Sequence, residues 1–375
     1  LTCHMSCPLV PGATVRGEDY YTTAQGMDIL GITCYLVNRG PAFHQAAMTL
    51  DACESAAACF GKKAWLIEYN ARTDMPPQEW PRETYAALGR GFKGIFYYQW
   101  RADLPYPDGP EPEQFGMLYS DGRKASSYDM GVRMNRLVNR LSEPLAEAEK
   151  VRSGVALLYS DAANAFSDAR DNRGALDTAQ CAEQSILALR RCYTLLNQQG
   201  LTVDFLRPQE LAENPLDTRV LILPYRRGLP AEELEQIEAF QASGGRVYEY
   251  LDEGLGFRPY TREQRRVAHG VVTEQYGVSA LCDQENLRPA LRLTGCHGDV
   301  DARLLRGKDA DWAVLTNYDP LERPVEGAVL EAQGIRAARA YGEELPEEGV
   351  ACPVADGRVL LPRLAFGGII RLDRA

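Results

Sequence analysis

Apolar and polar positions alternate in short runs through the first third of the chain. The runs are rich in β-branched and aromatic residues: "LTCHMS" (1–6), "DILGITCYLV" (28–37), "KAWLIEY" (63–69) and "GIFYYQW" (94–100). Between and after them the apolar spacing lengthens to the helical period, which predicts helices over 43–59, 82–90 and 126–141. Strands separated by helices predict parallel pairing in an α/β layer. Tyr35, Glu68 and the Gln99-Trp100-Arg101 group all fall at the C-terminal ends of their strands. A (β/α)8 barrel gathers its catalytic side chains on that face, so residues 1–145 read as the second half of a TIM barrel. Four strands alone leave two sheet edges and an apolar interior open. Further residues, upstream or on another chain, are therefore expected to complete the barrel, and the opening of the chain at Leu1 inside a strand-like run fits that expectation.

The pattern changes at "LSEPLAEAEKVRSG" (141–154), a charged, proline-containing linker. Residues 150–285 then predict a second α/β domain of flavodoxin-like or amidotransferase-like type, with strands at 154–160, 201–207, 219–225 and 246–251 and helices near 179–199 and 230–243. A working amidotransferase needs a cysteine on a tight, glycine-flanked turn after a strand. Cys181 and Cys192 fall instead within a predicted helix, so this domain reads as non-catalytic. Residues 290–375 break into short alternating strands, "LRLTG", "WAVLTNY", "VEGAVLE", "RVLLPRL" and "GGIIRLD", which predict a small all-β sandwich.

Composition narrows the function classes. The chain is 45% apolar and 25% charged, ordinary values for a protein with real cores. A formal charge of −11 argues against a polyanion as partner, since nucleic acids require a concentrated basic face, and a neutral saccharide fits it better. No apolar run approaches the ~18 residues of a membrane span. Ten scattered cysteines read as reduced thiols, which points to the cytoplasm. Cys3, His4 and Cys7 lack the paired spacing of a zinc site, and neither metal nor cofactor is expected. His44, His269 and the Cys296-His297 pair show no partner spacing and read as structural.

"AWLIEYNA", "EW" at 79–80, "GIFYYQWRADLP" and "EQFGMLYSDGR" together resemble glycoside hydrolase family 42, the β-galactosidases, as does "MDILGITCYL" (27–36). The resemblance covers essentially the whole chain in the order barrel, amidotransferase-like trimerisation domain, small β-domain. It implies a retaining glycosidase with Glu68 as nucleophile, kept ionised by the Tyr35 hydroxyl and by Arg101. Trp80 and Trp100 would offer flat faces to the sugar ring, and Glu113 would accept from its hydroxyls. The family's acid/base glutamate ends the fourth barrel strand, outside this chain, and the usual histidine after "EQF" is Gly116, which leaves the sugar open. The same resemblance implies a homo-oligomer, a trimer. The alternative is a non-catalytic carbohydrate-binding or assembly subunit derived from such an enzyme.

Overall fold

The computed structural model describes residues 2, 5, 18–35, 40–103, 115–171, 184–251, 255–260 and 276–375. A short helix, α1 (Tyr20–Gly26), capped by the Asp19 carboxylate, precedes three parallel strands. These strands, β1 (Ile29–Cys34), β2 (Lys63–Asn70) and β3 (Gly94–Tyr98), lie side by side in chain order. Parallel bridges from Thr2 to Ile29 and from Met5 to Ile32 set these two residues against the β1 edge. The crossovers are α2 (Phe43–Cys59) and α3 (Glu79–Gly89).

The next helix, α4 (Tyr128–Glu147), runs past the expected end at 141 and through Pro144. A proline inside a helix removes one hydrogen bond and costs about 3 kcal/mol. Met130, Met134, Leu137, Leu141 and Leu145 share one buried face of this helix. Each fully buried side chain of this size is worth about 1.5–3 kcal/mol, so extending the face through Leu145 offsets the proline. The expected linker contributes a strand as well: β4 (Glu149–Lys150) pairs with β11 (Val300–Arg306).

The second sheet has the order β6 (Val203–Leu206), β5 (Val155–Leu158), β7 (Val220–Leu223), β8 (Arg246–Leu251), β9 (Gly256–Pro259), with only β9 antiparallel. Its helices are α5 (Asp161–Asp171), α6 (Gln184–Asn197), α7 (Ala231–Ala242) and α8 (Val278–Gln284). Every residue of β5, β6 and β7 is buried, as expected of parallel strands covered on both faces.

The remaining strands form two packed antiparallel sheets. One is β10 (Arg292–Thr294), β13 (Val329–Glu331), β17 (Arg358–Leu360) and β16 (Val354–Ala355). The other is β15 (Val350–Cys352), β14 (Ile335–Tyr341), β18 (Gly367–Arg374), β12 (Asp311–Asn317), β11 and β4. All seven residues of β12 are buried. Ala313 and Leu315 face the sandwich core, while Trp312 and Val314 pack with α3 and α4. The large sheet therefore backs the helices of the first layer.

Where the three layers meet, charge is buried. Asp51 on α2 binds Arg90 at 3.1 Å and Lys150 at 3.3 Å, and accepts from the Tyr193 hydroxyl at 2.5 Å. Arg90 also pairs with Asp301 at 3.1 Å, which pairs with Arg303 at 2.9 Å. Glu54, Asp204 and Arg152 extend the network around Lys150. Burial alone would raise the Asp51 carboxyl, yet Lys150, Arg90 and Arg303 hold it down at about 2. Among the described residues no helix is long and apolar enough to cross a membrane.

Candidate active site

β2 places Glu68 through a break in its own alternation. The buried positions run Ala64, Leu66, then Tyr69. Leu66 pairs with Ile32 and Glu68 with Thr33 on one side, while Leu66 pairs with Ile95 and Tyr69 with Tyr97 on the other. Ile67 is thus an extra residue in β2 relative to both neighbours, and one extra residue exchanges the faces of everything that follows. Tyr69 takes the fully buried, helix-facing side and Glu68 falls on the opposite face. Without the bulge Glu68 would point into the helix layer beside Leu66.

The Tyr35 hydroxyl, just beyond β1, donates to Glu68 Oε1. Phe115 meets Tyr35 edge-on, with centroids 6.0 Å apart, and meets Tyr98 at the same distance. The 115–118 segment is fixed there by backbone bonds from Gly116 N to the Ala71 carbonyl (2.5 Å), Met117 N to Gln99 (2.9 Å) and Leu118 N to Trp100 (3.0 Å). Trp100 is 57% exposed and leans on Tyr128, 5.9 Å away. The result is a half-buried carboxylate beside a rim of Tyr35, Phe115 and Tyr98. Such a rim can receive a ring with apolar faces and hydroxyl edges.

The other expected residues fall elsewhere. Trp80 is fully buried, 4.3 Å from the Tyr97 ring in the core between α3 and α4, and offers no face to a ligand. Its apolar surface is needed by that core. Arg101 directs Nε to the Ser120 carbonyl at 2.9 Å and makes no pair with Glu68. Glu113 lies outside the described residues, as do Cys3, His4, Cys7, Cys181 and His269. Gly116 has φ 153°, and a Cβ there would stand 2.5 Å from Ala102 N and 2.7 Å from the Leu118 carbonyl. A histidine cannot enter this position without moving the backbone. Tyr98 and Phe115 went unread in the sequence, although both lie inside the "YYQW" and "EQFG" stretches that carried the resemblance.

Beneath the strands lies a second, hidden carboxyl. Glu83 on α3 is 2% exposed, and its Oε2 has no hydrogen-bond partner. Burial pushes it well above the usual carboxylate range, and Glu79 and Cys34 push it further.

No family model matches the chain, and no curated protein matches it. Solved structures do match. The β-galactosidase of Bacillus circulans sp. alkalophilus superposes with a TM-score of 0.66 at 14% identity, over 95% of this chain and 62% of its own. That of Rahnella sp. R3 gives 0.66 at 14%, over 100% and 63%. A GH42 β-galactosidase of G. stearothermophilus gives 0.64 at 12%, over 95% and 61%. The chain has the fold of the GH42 β-galactosidases and spans about three fifths of the length of these proteins.

Proposed function

We propose that this chain carries the nucleophile side of a retaining, β-galactosidase-like glycoside hydrolase, its first layer being the second half of a (β/α)8 barrel. The observation that carries the reading is Glu68, turned by the Ile67 bulge to the C-terminal mouth of three parallel strands and held by the Tyr35 hydroxyl. In the first step a Glu68 oxygen bonds to the anomeric carbon as the bond to the leaving oxygen breaks. A second carboxyl, about 5–5.5 Å away, protonates that oxygen and then deprotonates the water that releases the sugar. This second carboxyl belongs to barrel elements beyond the described residues, in the same or another polypeptide. Phe96, 52% exposed and stacked on Trp65 at 5.5 Å, lies on the sheet face that such elements would cover. The middle domain would join subunits as a homo-oligomer, a trimer by resemblance.

A dinitrophenyl 2-deoxy-2-fluoro-β-galactoside tests the nucleophile by itself, because its leaving group departs without a proton donor. Mass spectrometry is expected to find a covalent glycosyl adduct on the 63–71 peptide, absent in Glu68→Gln. An unmodified protein that still binds galactose would favour the non-catalytic sugar-binding subunit, which the uncovered Phe96 face also suits.

A further inference from the structure

Tyr35 and Glu68 meet from neighbouring strands, and the sheet itself does not fix the meeting. The last paired position of β1 is Cys34, opposite Tyr69, so Tyr35 stands one residue past the ladder. The terminal torsion of a glutamate is broad, so the plane of the Glu68 carboxylate is not set by its own chain. The hydrogen bond from the Tyr35 hydroxyl to Oε1 sets that plane, and with it the direction of the other oxygen. Whatever holds the Tyr35 ring therefore aims Glu68.

Phe115 is placed to hold it. Its ring lies 6.0 Å from Tyr35 at 78° and 6.0 Å from Tyr98 at 61°, both edge-on contacts of the kind that aromatic quadrupoles favour. Tyr35 follows β1 and Tyr98 ends β3, and these strands lie two spacings apart in the sheet, about 9.6 Å. A ring at equal distance from both tyrosines stands over the end of β2, the strand that carries Glu68. The backbone agrees with that placement. Phe115 forms an antiparallel bridge with Arg72, two residues past β2, and Gly116 N donates to the Ala71 carbonyl. On the other side Met117 N and Leu118 N donate to the Gln99 and Trp100 carbonyls, and Ala102 N donates back to Leu118 at 2.9 Å. The Phe115 backbone is thus clamped between the ends of β2 and β3, while its ring reaches across to the residue after β1.

We propose that Phe115 is a positioning residue, which fixes the Tyr35 ring so that its hydroxyl aims the Glu68 carboxylate. Its effect on rate rests on the reading of Glu68 as nucleophile, whereas its hold on Tyr35 rests on the contacts alone. Phe115 acts through Tyr35 and need not touch the sugar.

Two measurements on the whole protein test this. Fluorine NMR of 3-fluorotyrosine placed at position 35 reads the contact without any sugar. Glu68→Ala is expected to shift that resonance, and the shift is expected to be largely lost in the Phe115→Leu background. Equal shifts in both backgrounds overturn the proposal. The second measurement is the rate of covalent trapping by the dinitrophenyl 2-deoxy-2-fluoro-β-galactoside. Phe115→Leu is expected to slow the covalent step about ten- to a hundredfold at little change in the half-saturating concentration, as a carboxylate misplaced by about 1 Å would. In Tyr35→Phe, which keeps the ring but has no hydroxyl to aim, Phe115→Leu is expected to add little. Losses that add in full in the double variant overturn the proposal, because Phe115 would then act apart from Tyr35. Phe115→Met, closer in volume, serves in both measurements if Phe115→Leu does not fold. Absence of trapping in the wild type together with the expected fluorine shifts overturns the nucleophile reading and upholds the hold of Phe115 on Tyr35.

Discussion

Replacing Glu83 by glutamine should make the protein more stable, and increasingly so as pH rises. Glu83 is buried without a partner for Oε2 and beside Glu79, Cys34, Tyr69 and Tyr97, none of which supplies positive charge. Its folded pKa is raised, so the folded state holds a proton that the unfolded chain releases near pH ~4.3. The sign follows: stability is full below that pH and falls as pH rises towards the folded pKa, by about 1.4 kcal/mol per unit. Glutamine copies the protonated carboxyl in shape and does not titrate. Urea unfolding followed by tryptophan fluorescence suits the test, because Trp80 lies one turn away and Trp312 shares its core. The two proteins should coincide near pH 4 and diverge with a slope approaching one proton. Parallel profiles would refute the reasoning, since they would mean that Glu83 ionises as freely folded as unfolded.

Two further outcomes follow from the packing. Asp51→Ala leaves Arg90 and Lys150 buried without their shared carboxylate and should cost about 3–5 kcal/mol in thermal or urea unfolding. Because Asp51 is held at about 2, its wild-type contribution should persist above pH ~4 and fade as pH falls towards 2, and a variant that melts with the wild type at neutral pH would contradict the network. Gly116→Ala should lower the melting temperature, at about 1–3 kcal/mol of backbone strain, whereas Gly26→Ala, whose Cβ meets nothing within 4 Å, should not. Equal shifts in the two would show that the 115–118 segment adapts freely.

Periodicity located β2, β3 and α2 to within a residue or two, and the start of β1 to within one, because each is a continuous run with clear flanks; β1 ends at Cys34, three residues before the expected 37. It failed where a decision lies in contacts from elsewhere. The Ile67 bulge follows from two pairing registers and not from "WLIEY" itself, so the sequence identified Glu68 without the device that exposes it. Trp80 was read as a sugar platform because an aromatic beside the motif looks the same whether it faces solvent or α4. On α2, Asp51 and Glu54 would ordinarily mark a solvated face, yet Phe43, His44 and every position from 46 to 57 are buried. Their cationic partners lie from 39 to 99 residues away in sequence, at Arg90, Lys150 and Arg152.

That burial explains how three parallel strands can hold a site at all. A short open sheet has little cohesion of its own. Here β1 and β2 share one core with α2 and with Val155, Tyr193 and Phe205 of the second layer. α3 and α4 share another with Leu305, Trp312 and Ile369 of the sandwich. The outer side of the sheet is thus covered twice, while Phe96 and Trp100 stand exposed on or beside its inner side. Four cations and four anions pin the seam: Arg90, Lys150, Arg152 and Arg303 against Asp51, Glu54, Asp204 and Asp301. Buried charges of this kind add little net stability but penalise every arrangement that separates them, so they fix how the layers meet more than how strongly. Glu68 keeps its place at the strand mouth because α2 and α3, on either side of β2, are held from behind by the other two layers.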